Sequence, residues 1–200
     1  MNIFIDYLYG TLVNPKKTLV LLAARQNFGM GAAAFLIVTF FSSLAALMGE
    51  DLGEVAEGID FGAALPAIFL ITFLVTVIMW LVGLGVLHLL AELLGGEGSI
   101  KSLIATQGFA QLPAIFIVPF AFLSIFIGDW LTITASLLLG IWTVILSVLA
   151  VKFSYNLSTG RSILAVILPA VIGVAIIIII AILIIFAIWP TISQMMGSLV

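Results

Sequence analysis

Long apolar runs separated by short polar punctuation divide this chain into five stretches, at about residues 31–48, 65–94, 109–127, 131–151 and 163–188. Each run is continuous rather than alternating, which is the pattern of a membrane-crossing helix and not of a barrel strand. Most are close to the roughly 20 residues that one crossing needs. The first is short. The second is about thirty residues long, so it is expected to tilt or to protrude at the end carrying His88 and Glu92. Gly83 and Gly85 inside it are small enough to let another helix approach closely. Pro113 and Pro119 predict a bent third span, because proline removes a backbone donor. Gly128-Asp129-Trp130 predicts a tight turn. The fifth run has Pro169 near its start and closes at Trp189-Pro190.

The segments between the runs are as informative as the runs. In residues 1–28, Phe4, Ile5, Leu8 and Leu12 recur at helical spacing. Asn14-Pro15 then predicts a second helix start, with a capping side chain followed by a residue whose backbone angle is pre-set. Lys16, Lys17 and Arg25 flank the apolar Leu19–Ala24, so this segment reads as amphipathic and lying flat at a membrane surface. Between the second and third runs, Gly95-Gly96 can end one helix through a left-handed cap. Ser99 can start the next. Ile100, Leu103 and Ile104 share a face of that next helix, which leads to Gln107, Gln111 and Pro113. It is predicted as a short element lying at the membrane surface. Residues 191–200 form an uncharged tail.

Composition agrees with the pattern. The chain has 200 residues, 64% of them hydrophobic and 8% charged, with a mean hydropathy of +1.45. A soluble domain is about a quarter charged, so lipid is the solvent here. The fold class is therefore all-α: a polytopic membrane bundle of five transmembrane helices, with an interfacial amphipathic N-terminal segment over 1–28, a membrane domain over 29–190 and a short interfacial helix between spans two and three. There is no cysteine and a single histidine, which excludes disulfides, thiolate chemistry and a structural zinc site. The net charge of −3 gives no footprint for nucleic acid. Residues 1–30 lack the order of a cleavable signal peptide.

Charge also orients the chain. With the N-terminus inside, Lys16, Lys17, Arg25, Lys101, Lys152 and Arg161 all fall on the cytoplasmic side, and these are all the basic residues present. Glu50, Asp51, Glu54, Glu57, Asp60 and Asp129 fall outside, as does the C-terminus. This is the distribution that basic residues in short loops dictate. The acidic stretch 49–64 matches no calcium loop and reads as a solvated loop. The sequon Asn156-Leu157-Ser158 falls inside, where it is not used.

The candidate chemistry is sparse. His88 and Glu92, four residues apart on one helical face, could bind a cation or relay a proton. The simpler reading is a polar helix end, with Glu92 paired to Lys101 or Lys152. A metal would need a further ligand, for which Glu97, Gln107 or Asn156 are the available groups. Gly95-Gly96-Glu97-Gly98-Ser99 could form an anion nest, but it has no lysine and Glu97 opposes an anion. Turn and cap geometry explains it without a ligand. No nucleophile motif, second histidine or aspartate dyad is present, so an enzyme is not expected, nor a cofactor.

A helix bearing His88, then Gly95-Gly96-x-Gly98-Ser99, a short amphipathic piece, and Gln111-x-Pro113 opening a new span resemble the core of the Yip family (Ypt-interacting-protein domain). Asn14-Pro15-Lys16 is similar to that family's opening motif. The resemblance implies five spans and a non-enzymatic scaffold or adaptor in membrane trafficking or organisation. Its eukaryotic members associate with small GTPases and with one another, an activity linked to a long cytosolic N-terminal region. About thirty residues precede the first run here, so the expectation is a prokaryotic-type member of the plasma membrane. Its expected partners are the bilayer, a second copy or other membrane proteins rather than a GTPase. The alternative function is a small transporter or an ion or proton pathway using the His88/Glu92 face.

Overall fold

A computed structural model describes residues 3–49 and 61–197, with side chains over 3–44, 64–175 and part of 178–186. The expected acidic loop at 49–64 falls almost wholly outside these residues, and the side chains of the tail at 191–200 lie outside them too. Every element among the described residues is helical: α1 (Ile3–Val13), α2 (Pro15–Arg25), α3 (Phe28–Gly49), α4 (Phe61–Leu93), α5 (Ile100–Ala110), a 3-10 turn (Leu112–Phe116), α6 (Ile117–Ile127), α7 (Trp130–Tyr155) and α8 (Thr159–Gly197). Helix is what lipid demands of a chain this apolar, because no water is there to satisfy an open backbone.

Four stretches are long and apolar enough to cross a membrane: Ala64–Leu93, Ile100–Ile127, Trp130–Tyr155 and Thr159–Phe186. The expected first span lies in α3, whose described apolar part, Phe28–Leu44, is shorter than these. The expected end of the fifth span at Trp189-Pro190 is not a helix end, since α8 continues to Gly197.

Where the sequence predicts a short surface helix, α5 is enclosed by other helices, with eight of its eleven residues buried, and it runs on into α6 as one stretch, Ile100–Ile127, apolar and long enough to cross a membrane. Leu103, Thr106, Phe109 and Ala110 are wholly buried. It feeds both clusters of the core, one through Phe109 and Ala110 with Tyr7, Leu22 and Leu146, the other through Leu103 with Ala91, Val151 and Tyr155. Glycine makes this possible. At Gly31 and Gly108, α3 and α5 cross with backbone against backbone, and a Cβ on Gly108 would overlap the Gly31 carbonyl group. By contrast Gly83 and Gly85 approach nothing, so the close crossing expected at α4 is not made there. The one-face spacing of Ile100, Leu103 and Ile104 does not reveal that the hydroxyls and amide between and after them are internal fastenings. Ser102 Oγ donates to the Ala23 carbonyl (3.1 Å), Thr106 Oγ1 meets Ser154 Oγ (2.8 Å), and Gln107 Nε2 donates to the Ser147 carbonyl (3.4 Å). In lipid, such bonds and close small-residue packing hold helices together.

The N-terminal segment belongs to this packed body. Tyr7 and Thr11 of α1 are buried, as are Thr18, Leu19, Leu22 and Ala23 of α2. Phe109 receives Phe4 and Tyr7 edge-on or tilted, with ring centroids 5.6 and 6.0 Å away. Asn14 stands at the predicted helix start ahead of Pro15, yet its side chain makes no capping bond. Its carbonyl instead accepts from the Thr18 amide and hydroxyl.

The prolines act as their positions dictate. Pro113 opens the 3-10 turn, which breaks the third span after Gln111. Pro119 is the third residue of α6, where no intrahelical N–H bond is needed, so it costs little.

Candidate functional site at the meeting of helix ends

The C-terminal ends of α2, α4 and α7 meet the N-terminal end of α5. Gly95 takes φ +80°. Its amide donates to the Glu92 carbonyl, and the Gly96 amide to the Ala91 carbonyl, both at 2.9 Å. This paired arrangement closes α4 and satisfies carbonyls the helix leaves open. The following residues dock on α7. The Glu97 amide donates to the Tyr155 carbonyl (3.0 Å), and the Asn156 side chain donates to the Glu97 carbonyl (3.4 Å). Gly96 and Gly98 have no room for a side chain. A Cβ on Gly96 would sit 2.8 Å from Tyr155 Cβ, and one on Gly98 would overlap the Ser154 carbonyl. With the amides of Gly95, Gly96 and Glu97 spent on carbonyls, the anion-nest reading of this loop is not realised.

Ser99 caps α5 as its position predicts. Its Oγ accepts from the Ser102 amide and donates to Gln26 Oε1, both at 3.2 Å. Gln26 itself closes α2 at φ 50°. Replacing Ser99 by alanine is expected to destabilise the protein by about 1 kcal/mol, with threonine restoring most of it. Denaturant unfolding in detergent checks both.

His88 and Glu92 do share a face and do meet: His88 Nε2 lies 3.6 Å from Glu92 Oε1. The expected pairing of Glu92 with Lys101 or Lys152 is not made, and Lys152 Nζ donates to Thr159 Oγ1 at 2.8 Å. The partner that the sequence did not suggest is Tyr155, whose hydroxyl lies 2.5 Å from His88 Nδ1. The two ring nitrogens of His88 thus face Glu92 and Tyr155, and whether Nδ1 or the hydroxyl donates in the second contact depends on the ring's tautomer. Tyr155 is fully buried, while Glu92 is half exposed. A tyrosine at the end of a span reads from sequence as an interfacial aromatic, and no spacing signals its contact with a residue 67 positions away. Of the suggested third ligands, Glu97 and Asn156 belong to the docked loop and Gln107 is committed to Ser147. Among the described residues no group of three His, Asp or Glu side chains could hold a metal.

A cavity of about 410 Å³ opens beside this junction, lined by Gln26, Glu97, Ser102, Ser154 and Asn156 among others. Three further cavities lie deeper along the bundle, and neither His88 nor Glu92 lines any of the four. Gln111 and Pro113 are not part of the helix-end junction. They lie at the break in the third span, with Pro113 buried and Gln111 partly so. Asn14 and Lys16 stand at the start of α2, both exposed.

No curated protein and no solved structure matches the chain. The family model described as the Yip1 domain matches residues 9–182. That span takes in α2 through most of α8, the glycine loop and the broken third span, so the chain is an integral membrane protein belonging to the Yip family.

Proposed function

We propose that the protein is a non-enzymatic membrane scaffold or adaptor, built on five spans with the N-terminus cytoplasmic and the C-terminus outside, in a prokaryotic plasma membrane. The observation that carries this reading is how the polar residues are spent. His88, Gly95, Gly96, Gly98 and Ser99 tie helix ends together, and a rigid junction of that kind suits a platform better than a reaction centre. Outside the junction, α1 presents Ile5, Tyr9 and Val13 on one uncovered face. Four residues apart, they form a ridge suited to the bilayer, a second copy or another membrane protein.

Two measurements test it. The native chain has no cysteine, so single cysteines at Val55 and Thr159 can be labelled from either side. The expected result is labelling from opposite faces; reactivity from one face overturns the topology. In proteoliposomes the protein is expected to carry no proton or cation flux. Flux abolished by His88→Ala or Glu92→Gln would replace the scaffold reading with a pathway.

A further inference from the structure

The third span is broken near its middle. Gln111 sits at the break, eleven residues past Ile100, or about 17 Å at helical rise. That is roughly half of a hydrocarbon core of about 30 Å. Interrupted backbone at this depth is tolerated where it is buried in protein or lines a polar cavity, and an interrupted span is a pointer to a binding site.

Two cavities meet at Gln111. One, of about 280 Å³, also has Gln107 and Ser147 in its wall, with Trp80 and Leu84. The other, of about 300 Å³, has Thr39, Ser42, Ser43, Thr72 and Thr76. Ser42 also lines a third cavity of about 380 Å³ with Ser136 and Thr143. Ser42 Oγ is buried and has no hydrogen-bond partner among the described residues, which is costly for a hydroxyl in an apolar surround. Thr72, Thr76 and Ser136 reach the outer surface of the helices, so the second and third of these cavities open sideways, at the face the bundle turns to lipid.

No ionisable side chain lines any of the three. The basic residues lie in α2, at the start of α5, at the end of α7 and at the start of α8, away from the break. A phosphate held at Gln111 would be buried without a counter-charge. An uncharged hydroxyl-bearing group would find amide and hydroxyl partners, and an apolar body would find Trp80 and Leu84.

We infer that the cavities meeting at Gln111 and Ser42 bind the uncharged glycerol unit of a neutral glycerolipid of the diacylglycerol class, entering from the bilayer. Gln111 exchanges hydrogen bonds with its hydroxyl and ester oxygens, and Ser42, which has no partner among the described residues, gains one. This goes beyond the scaffold reading and does not depend on it. The same hydroxyl chemistry is offered by free glycerol, so the experiment separates the two sources.

The full-length protein is reconstituted in nanodiscs with a photoactivatable diacylglycerol, and labelled peptides are mapped. Labelling is expected to concentrate on residues 35–43, 72–87 and 107–117. Gln111→Leu and Ser42→Ala should each reduce it about fivefold to tenfold, the loss of one buried hydrogen bond. Ser42→Ala removes an unpartnered hydroxyl and is expected to leave the melting temperature unchanged, so it reads binding and not folding. Gln111-dependent glycerol permeation into proteoliposomes, without lipid labelling, would move the site to free polyols and overturn the lipid assignment. Labelling spread over all lipid-facing helices, indifference to both variants, or equal competition by phosphatidylcholine would overturn the site.

Discussion

Gly108→Val is expected to abolish the folded state. A Cβ at this position would overlap the carbonyl group of Gly31, and a Cβ at Gly31 would meet Ile104 and Ala105 backbone. Neither obstacle is a side chain that can rotate away. Relief requires α3 and α5 to separate, and α5 is the helix that joins both core clusters. Overpacking costs about 1–3 kcal/mol where side chains can shift; here backbone must move, so about 3 kcal/mol or more is expected. In lipid the effect is sharpened, because close approach of backbones is itself what draws helices together. Gly173→Ala is the matched control. Nothing lies within 4 Å of its added Cβ, and alanine is the better helix former, so stability should hold or rise slightly. Folded fraction across a denaturing-detergent titration measures both. Similar losses at Gly108 and Gly173 would show that the crossing is not where the fold is held.

Tyr155→Ala should produce the second largest loss. The ring is fully buried between α4, α5 and the loop, packed with Ala91, Leu103, Val151 and Leu157. Gly96 and Gly98 are shaped to it, each with a Tyr155 atom 2.7–2.8 Å from a would-be Cβ. In water such a truncation costs about 3–5 kcal/mol. In a bilayer the transfer part shrinks, since lipid is as apolar as the core, and the cavity part leaves about 2 kcal/mol or more. Tyr155→Phe separates packing from hydrogen bonding. It keeps the ring and removes only the partner of His88 Nδ1, so about 1 kcal/mol is expected. If Tyr155→Phe were as damaging as Tyr155→Ala, the hydroxyl and not the ring would hold the junction. The same titration resolves the two variants.

The gap between the reading and the structure has a consistent cause. Cap chemistry was legible because it is local. Ser99 before Ile100, Gly95 after Leu93 and Gly128 after Ile127 act within one or two turns, and each does what its position predicts. Asn14 is the exception, since its carbonyl rather than its side chain does the work. The burial of α5 among other helices was not legible. Its Ser102, Thr106 and Gln107 carry the same polar signature whether they face headgroups or partners on α2 and α7, and only those partners distinguish the cases. The glycines repeat the lesson. Gly83 and Gly31 look alike in the chain, yet only Gly31 faces another backbone.

By itself, then, the sequence determined that this chain lives in lipid as helices and where those helices begin and end in most places. Those properties follow from composition and from interactions within a few residues. Tertiary structure alone decided that α5 is the keystone, that Tyr155 closes on His88, and that Gln111 stands where two cavities meet. Each of these depends on which residues far apart in the chain are brought together, and hydrophobicity, being without direction, does not specify that pairing.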